Sequence, residues 1–349
     1  VSNGSQIMHM MTVIIVGLAM GTTVTIGHSV GAKCMEQAEK IIGNTITLFM
    51  GIAVAFTVIL VALVKPIVVL IATPQEAVAG TSIYLLICFI GIPFITAYNI
   101  ISSIFRGLGD SKSPMYFIGI ACVMNIALDY LFMGAFHMGA AGAALGTVCA
   151  QTFSVLVALW VIRRRKTGIS LKKSDFKIER AVIGQVLKIG IPVALQDGFI
   201  QVAFMIITVI ANSRGVSDAA AVGIVEKVIS ALFIVPSSML ATVSALSAQN
   251  FGAGKEKRAT DTLRYATVIT TIYGVIVAVL IQFIAENVVG IFTSDTTVVT
   301  MGSAYIRSYI WDCIFAGIHF SFSGYFAACG KSYIGFLHNI ISITFVRVP

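Results

Sequence analysis

Residues 41–64 read IIGNTITLFMGIAVAFTVILVALV, without one Asp, Glu, Lys or Arg. A helix needs about 20 apolar residues to cross the hydrocarbon of a bilayer, so this stretch alone is long enough to span. Small, β-branched and aromatic side chains fall on every side of such a helix. The single apolar stripe of a soluble amphipathic helix is missing.

The same reading extends in both directions. No charge precedes Lys33, and 77–105, 228–254 and 265–285 are bare. Residues 113–162 hold only Asp129, and 189–213 hold only Asp197. Nine complete spans are expected, near 7–32, 41–71, 77–105, 114–136, 139–162, 181–211, 220–250, 262–292 and 297–329. A tenth begins near Ser332 and is cut by the chain end. Across the 349 residues 58% are apolar and 11% charged, against about 25% charged in an ordinary soluble domain. A soluble monomer this apolar would expose too much hydrocarbon, and a disordered chain would lack the apolar content seen here. A porin-like barrel would show alternating segments of about 10 residues, and none is present. The expected class is therefore all-α and polytopic.

Orientation follows from the basic residues, because cytoplasmic loops are enriched in Lys and Arg. One alternate set of loops holds Lys33 and Lys40, Arg106 and Lys112, Arg163 to Lys188, Lys255 to Arg264, and Lys331, which is 18 of the 23 basic residues. The other set, at Thr73–Glu76, His137–Gly139, Asn212–Asp218 and Thr293–Thr296, holds only Arg214. The first set is expected in the cytoplasm, with the chain in the inner (plasma) membrane. The net charge of +8 is then a topology signal, and no nucleic-acid partner is implied. The six cysteines form no CxxC pair, and neither they nor the five histidines show metal-ligand spacing. No cofactor is expected.

A shift of 221 residues superimposes two halves without a gap. It carries Gly31-Ala32 onto Gly252-Ala253, Tyr84 onto Tyr305, Phe94 onto Phe315, Phe105 onto Phe326, Gly109 onto Gly330 and Ser111 onto Ser332. Five successive loops coincide, the pattern of a parallel repeat in a secondary transporter. The expected organisation is an N-terminal bundle over 1–165, a basic cytoplasmic linker over 166–180 and a C-terminal bundle over 181–349. The repeat also implies a helix before Val1 and the rest of two more beyond the last residue, making two pseudo-symmetric bundles of six.

Arg106-Gly-Leu-Gly-Asp-Ser-Lys-Ser-Pro114, Asn125-Ile-Ala-Leu-Asp129 and Met138-Gly-Ala-Ala-Gly-Ala-Ala-Leu-Gly-Thr147 together resemble the multidrug and toxic compound extrusion (MATE) family. Gly27-His-Ser-Val-Gly-Ala32 and its repeat Ser247-Ala-Gln-Asn-Phe-Gly-Ala253 are similar to it too. The resemblance covers the whole chain. It implies a monomeric antiporter of two six-helix lobes that expels small organic cations in exchange for H⁺ or Na⁺.

Asp129 is the sharpest candidate residue. A carboxylate in mid-span costs about 2.5–3.5 kcal/mol on insertion scales, so its presence asks for a reason. Asn125 lies four residues earlier on the same helix face. Gly142 and Gly146 on the next helix permit close approach, and Thr147 adds a hydroxyl. Acid, amide and hydroxyl are oxygen donors suited to Na⁺, and the acid can also take a proton. The resemblance assigns Asn125, Asp129 and Thr147 to the cation site of the N-terminal lobe, whose further Asp belongs to the helix before Val1. An Asp that merely joins two helices is the structural alternative.

In the second half Asp197 and Gln201 share a helix face and are candidate substrate or cation contacts. Asp312 is open to the same role or to pairing with Arg307. Glu226-Lys227 reads as a local pair, and Arg106 with Asp110 as organisers of a turn. His28, His319 and His338 are open to proton relay or to helix packing. Pro93, Pro192 and Pro236 interrupt spans. The chemically distinct alternative is a lipid-linked oligosaccharide flippase of the same broad superfamily, which would need several basic residues at depth. A membrane-embedded enzyme is disfavoured, since no nucleophile–base or metal constellation is visible.

Overall fold

The computed structural model describes residues 2–70, 75–164 and 170–347. Residues 71–74, which include Thr73-Pro74 of an expected loop, and 165–169, which include the head of the expected linker, lie outside the described residues. Among those described, every regular element is helical. In chain order they are α1 (Ser2–Gly31), α2 (Met35–Ala62), α3 (Val64–Leu70), α4 (Gln75–Gly107), α5 (Lys112–Asp129) and α6 (Gly139–Arg164). Then follow α7 (Arg180–Arg214), α8 (Val216–Leu232), α9 (Ile234–Gly252), α10 (Glu256–Gly290), α11 (Thr296–Tyr309), α12 (Asp312–Ala328) and α13 (Ser332–Ser342). A π-helical turn, Tyr130–Ala135, continues α5.

Eight stretches are long and apolar enough to cross a membrane among the described residues. The ninth expected span, 297–329, is instead broken at Ile310-Trp311 into α11 and α12, of 14 and 17 residues. Asp312 opens α12, where a carboxylate suits the positive end of the helix dipole. Two of the eight, Met35–Val69 and Ser217–Gly252, are interrupted for one residue of regular helix, and proline explains both. The proline ring clashes with the carbonyl four residues before it. Four residues before Pro66 is Ala62, the last of α2, and four before Pro236 is Leu232, the last of α8. Pro236 thus sits in the first turn of α9, whereas Pro93 and Pro192 lie inside the unbroken α4 and α7.

The chain divides into two compact units, Val1–Ala194 and Leu195–Pro349, with the division inside α7. In the first, α4 packs on α1, α2 and α6, and α5 packs on α6. Its core includes Tyr84, Leu85, Cys88, Phe89 and Ile92 of α4 with Ala53, Val68 and Ala144. The start of α7 also belongs here. Gly17 and Gly21 of α1 face Ala194 and the Val186 carbonyl, and Gly190 faces the Leu18 backbone, so the two backbones touch where any side chain would separate them. In the second unit α12 packs on α9, α10 and α13, and α8 on α11. Val225, Ile229, Ala278, Ile281, Ile306 and Cys313 form its core.

The shift of 221 residues found in the sequence recurs in the helix ends. It carries Gly31 to Gly252, Met35 to Glu256, Gln75 to Thr296 and Gly107 to Ala328, each the end of a helix. The turns repeat too. Cys34 N–H donates to Ser29 O at 2.9 Å, and its counterpart Lys255 N–H donates to Asn250 O at 2.8 Å. Likewise Asp110 N–H reaches Phe105 O at 2.9 Å and Lys331 N–H reaches Phe326 O at 2.8 Å. These are six-to-one closures of the Schellman type, which place one residue in the left-handed region. Gly109, Gly254 and Gly330 fill it at φ 91°, 69° and 70°, whereas the fourth position is Lys33 at φ 59°.

The expected linker is not a free tether over its described part. A short 3₁₀ turn, Lys173–Phe176, docks on α2. The Asn44 amide donates to Asp175 O at 3.1 Å and its carbonyl accepts from Glu179 N–H at 2.7 Å. Thr47 Oγ1 donates to Phe176 O at 3.0 Å, and Glu39 Oε1 accepts from Ser170 N–H at 2.6 Å. A Cβ at residue 43 would collide with the Asp175 backbone, so Gly43 makes the approach possible.

Candidate functional site

Asn125 and Asp129 meet where α5 gives way to its π-helical turn, and Thr147 lies on α6, next in sequence to the Gly146 that faces Asp129. Asn125 and Asp129 are one helical turn apart, and Asn125 Nδ2 lies 3.5 Å from Asp129 Oδ1. Asp129 is the last residue of regular α-helix before the turn at Tyr130–Ala135. Such turns add a residue to the helical ring and accumulate at functional sites.

The carboxyl group is held in a notch. A Cβ at position 146 would overlap Asp129 Oδ1, and one at 142 would press on Phe132, Met133 and Met138. The two glycines four apart on α6 therefore admit the acid and the turn that follows it. Thr147 stands next to Gly146. Its hydroxyl donates to Ala143 O at 3.0 Å, so its proton is engaged and its oxygen lone pairs remain available. Asn125, Asp129 and Thr147 are all half-buried. Held in this way, the acid can take a proton or contribute its oxygens to a small hard cation.

Tyr84 is a neighbour that sequence reasoning missed. Its phenol is 6% exposed, lies against Cys88 and is within electrostatic reach of Asp129. The sequence offered one signal, a Tyr repeated at Tyr305, but nothing to tie α4 to α5. No cluster of three or more His, Cys, Asp or Glu residues occurs among the described residues.

Among the buried polar side chains of the second unit is Gln196, beside the expected Asp197. Gln196 is 1% exposed. Its side-chain amide nitrogen lies 3.5 Å from His319 Nε2, and its backbone carbonyl accepts from Asn339 Nδ2 at 3.0 Å. His319 stacks on His338 with ring centroids 4.9 Å apart. Through these contacts the histidines link α7, α12 and α13. Asp197 and Gln201 lie on α7 and Asp312 begins α12.

Arg307 pairs with Glu286 of α10 at 3.3 Å. Glu226, expected to pair with Lys227, accepts from Thr208 Oγ1 of α7 at 3.2 Å; adjacent residues on a helix do not face each other. Asp110 caps the start of α5, accepting from Lys112 and Ser113 N–H at 3.1 and 3.0 Å. Arg106 donates to Ser103 Oγ at 3.0 Å. His28 lines a cavity of about 240 Å³ with Thr25, Ser29, Gln37, Gln185 and Ile189.

Comparison with known proteins gives a consistent pattern. The MatE family model matches residues 1–131 and 192–349. The probable multidrug resistance protein YpnP of Bacillus subtilis is 30% identical over 336 residues, covering 96% of this chain and 75% of YpnP. The multidrug export protein MepA of Staphylococcus aureus is 24% identical over 314 residues, 89% of this chain and 69% of MepA. Among solved structures, MATE in complex with MaD3S superposes with a TM-score of 0.90 at 19% identity, covering 98% of this chain and 78% of that one. A MOP superfamily transporter from Pyrococcus furiosus, described as having a binding pocket of reverse polarity that suggests a different function, gives 0.88 at 19%, covering 98% and 79%.

Proposed function

Since the chain belongs to the MatE family of multidrug efflux transporters, we propose that it is a secondary antiporter in which Asp129 is the ion-operated element. Its cargo is small organic cations, and the coupling ion is H⁺ or Na⁺. The observation that carries this reading is the carboxyl group lodged in the Gly146 notch beside Asn125.

The chemistry follows from charge. An ionised Asp129 must keep polar company, so the surrounding helices hold the arrangement that supplies it. A proton, or a Na⁺ held by the Asp129, Asn125 and Thr147 oxygens, cancels that requirement. The π-helical turn at 130–135 then has a cheaper alternative packing, and α5 can shift against α6. Such a shift drives cargo release only if the ion binds the two arrangements with different affinity. The protein works as a monomer in the plasma membrane, with the Lys- and Arg-rich loops in the cytoplasm.

The test is ethidium accumulation in cells carrying the intact protein, with and without an ionophore. Exclusion that collapses when the gradient is dissipated supports an antiporter. Exclusion that survives the ionophore, or a deletion strain that accumulates lipid-linked precursor instead, overturns it.

A further inference from the structure

The described part of the segment between α6 and α7 has a composition that its docking alone does not explain. Leu171, Phe176 and Ile178 are exposed, Ile178 at 59%. Between them stand Lys172, Lys173 and Lys177, all exposed. None of these lysines makes an ion pair among the described residues. Two of the nearby acids hold backbone amides: Asp175 accepts from Lys172 N–H at 2.7 Å and Glu39 from Ser170 N–H.

The level at which the strap lies is set by α2. Its charges, Glu36, Glu39 and Lys40, end just before Ile41, and no further charge occurs until Lys65. Asn44 and Thr47, which grip the strap, therefore sit where α2 passes from headgroups into hydrocarbon. At that level exposed apolar residues favour the acyl boundary and lysines favour anionic headgroups. Trp160 and Arg164 at the end of α6, with the guanidinium 4.9 Å from the ring centroid, are a further pair of interfacial type.

We propose that residues 170–180 form a binding element for anionic phospholipid, fixed against α2 by Asn44 so that Lys172, Lys173 and Lys177 meet the headgroups together. Glu179 N–H, which Asn44 holds, immediately precedes α7. Lipid bound to the strap therefore bears on the joint at which α7 begins. The proposal requires a membrane protein but does not depend on its cargo or coupling ion.

The experiment is hydrogen–deuterium exchange of amides 170–179 in the intact protein, in nanodiscs of phosphatidylcholine alone or of an equal mixture with phosphatidylglycerol. Both leaflets have the same composition, so orientation does not enter. Each lysine near an anionic surface is worth about a fivefold change in an equilibrium constant. Exchange of the strap is expected to slow by at least that factor in the anionic discs. Replacing Lys172, Lys173 and Lys177 by Gln is expected to abolish the difference and leave exchange in phosphatidylcholine unchanged, because the Asn44 and Thr47 bonds remain. Equal exchange in the two discs, or a lipid effect that survives the triple substitution, overturns the proposal.

Discussion

Replacing Gly146 by Ala puts one methyl group where Asp129 Oδ1 now sits. The overlap is with the end of a side chain, so the backbones can stay in place while the carboxyl group is expelled from the notch. Two terms act on stability. Ala is favoured over Gly in a helix interior by about 0.8–1 kcal/mol, and forced overpacking costs about 1–3 kcal/mol. The net loss is about 0–2 kcal/mol, which leaves the protein folded. Ion binding suffers more. Losing one charged ligand interaction costs about 1.5–3 kcal/mol, which is roughly 10- to 150-fold in affinity. The assay is efflux from proteoliposomes against a titrated Na⁺ or H⁺ gradient. The concentration of driving ion giving half-maximal rate is expected to rise by at least tenfold. Gly119→Ala on α5, where a Cβ meets nothing within 4 Å, serves as the control and leaves that concentration unchanged. A folded Gly146→Ala protein with wild-type ion dependence would refute the idea that the notch positions the acid.

Other outcomes follow from the packing. Lys33→Gly relieves a left-handed residue without glycine's freedom and is expected to raise thermal stability, while Gly254→Lys at the repeated position lowers it by about 1–2 kcal/mol; melting in detergent reads both. Thr208→Val leaves Glu226 without its described donor and costs about 1–3 kcal/mol. Adding Glu226→Leu is expected to recover most of that loss, read by the same melting assay as a double-mutant cycle. Asn44→Ala orphans the Asp175 carbonyl and the Glu179 amide, so exchange of amides 170–179 is expected to accelerate in either lipid with little change at 85–92 of α4.

Charge placement made the membrane class readable, because hydrocarbon tolerates few charges and their gaps have the length of a span. The repeat was readable in small residues and loops, and the helix ends and turn hydrogen bonds repeat at the same shift. Asp129 and Asn125 were legible as a pair since spacing of four defines a helix face, and Gly146 because a close approach needs a missing side chain. Tyr84 was not, since only packing of α4 against α6 brings it near. The Pro66 and Pro236 breaks were legible in principle from the clash four residues back. The docked strap was hidden, because Asn44 and Asp175 are 131 positions apart. Glu226 was misread by pairing it with a sequence neighbour that a helix turns away.

The most direct test is equilibrium binding of the coupling ion to the purified intact protein, as radiolabelled Na⁺ retained or protons taken up at fixed pH, for wild type and Asp129→Asn. Wild type is expected to bind the ion and the variant, folded and with cargo binding intact, to lose at least a hundredfold in affinity or the titration itself, a loss of roughly 2.8 kcal/mol or more. Ion binding of undiminished strength and stoichiometry in Asp129→Asn would contradict the assignment of Asp129 as the ion-operated element.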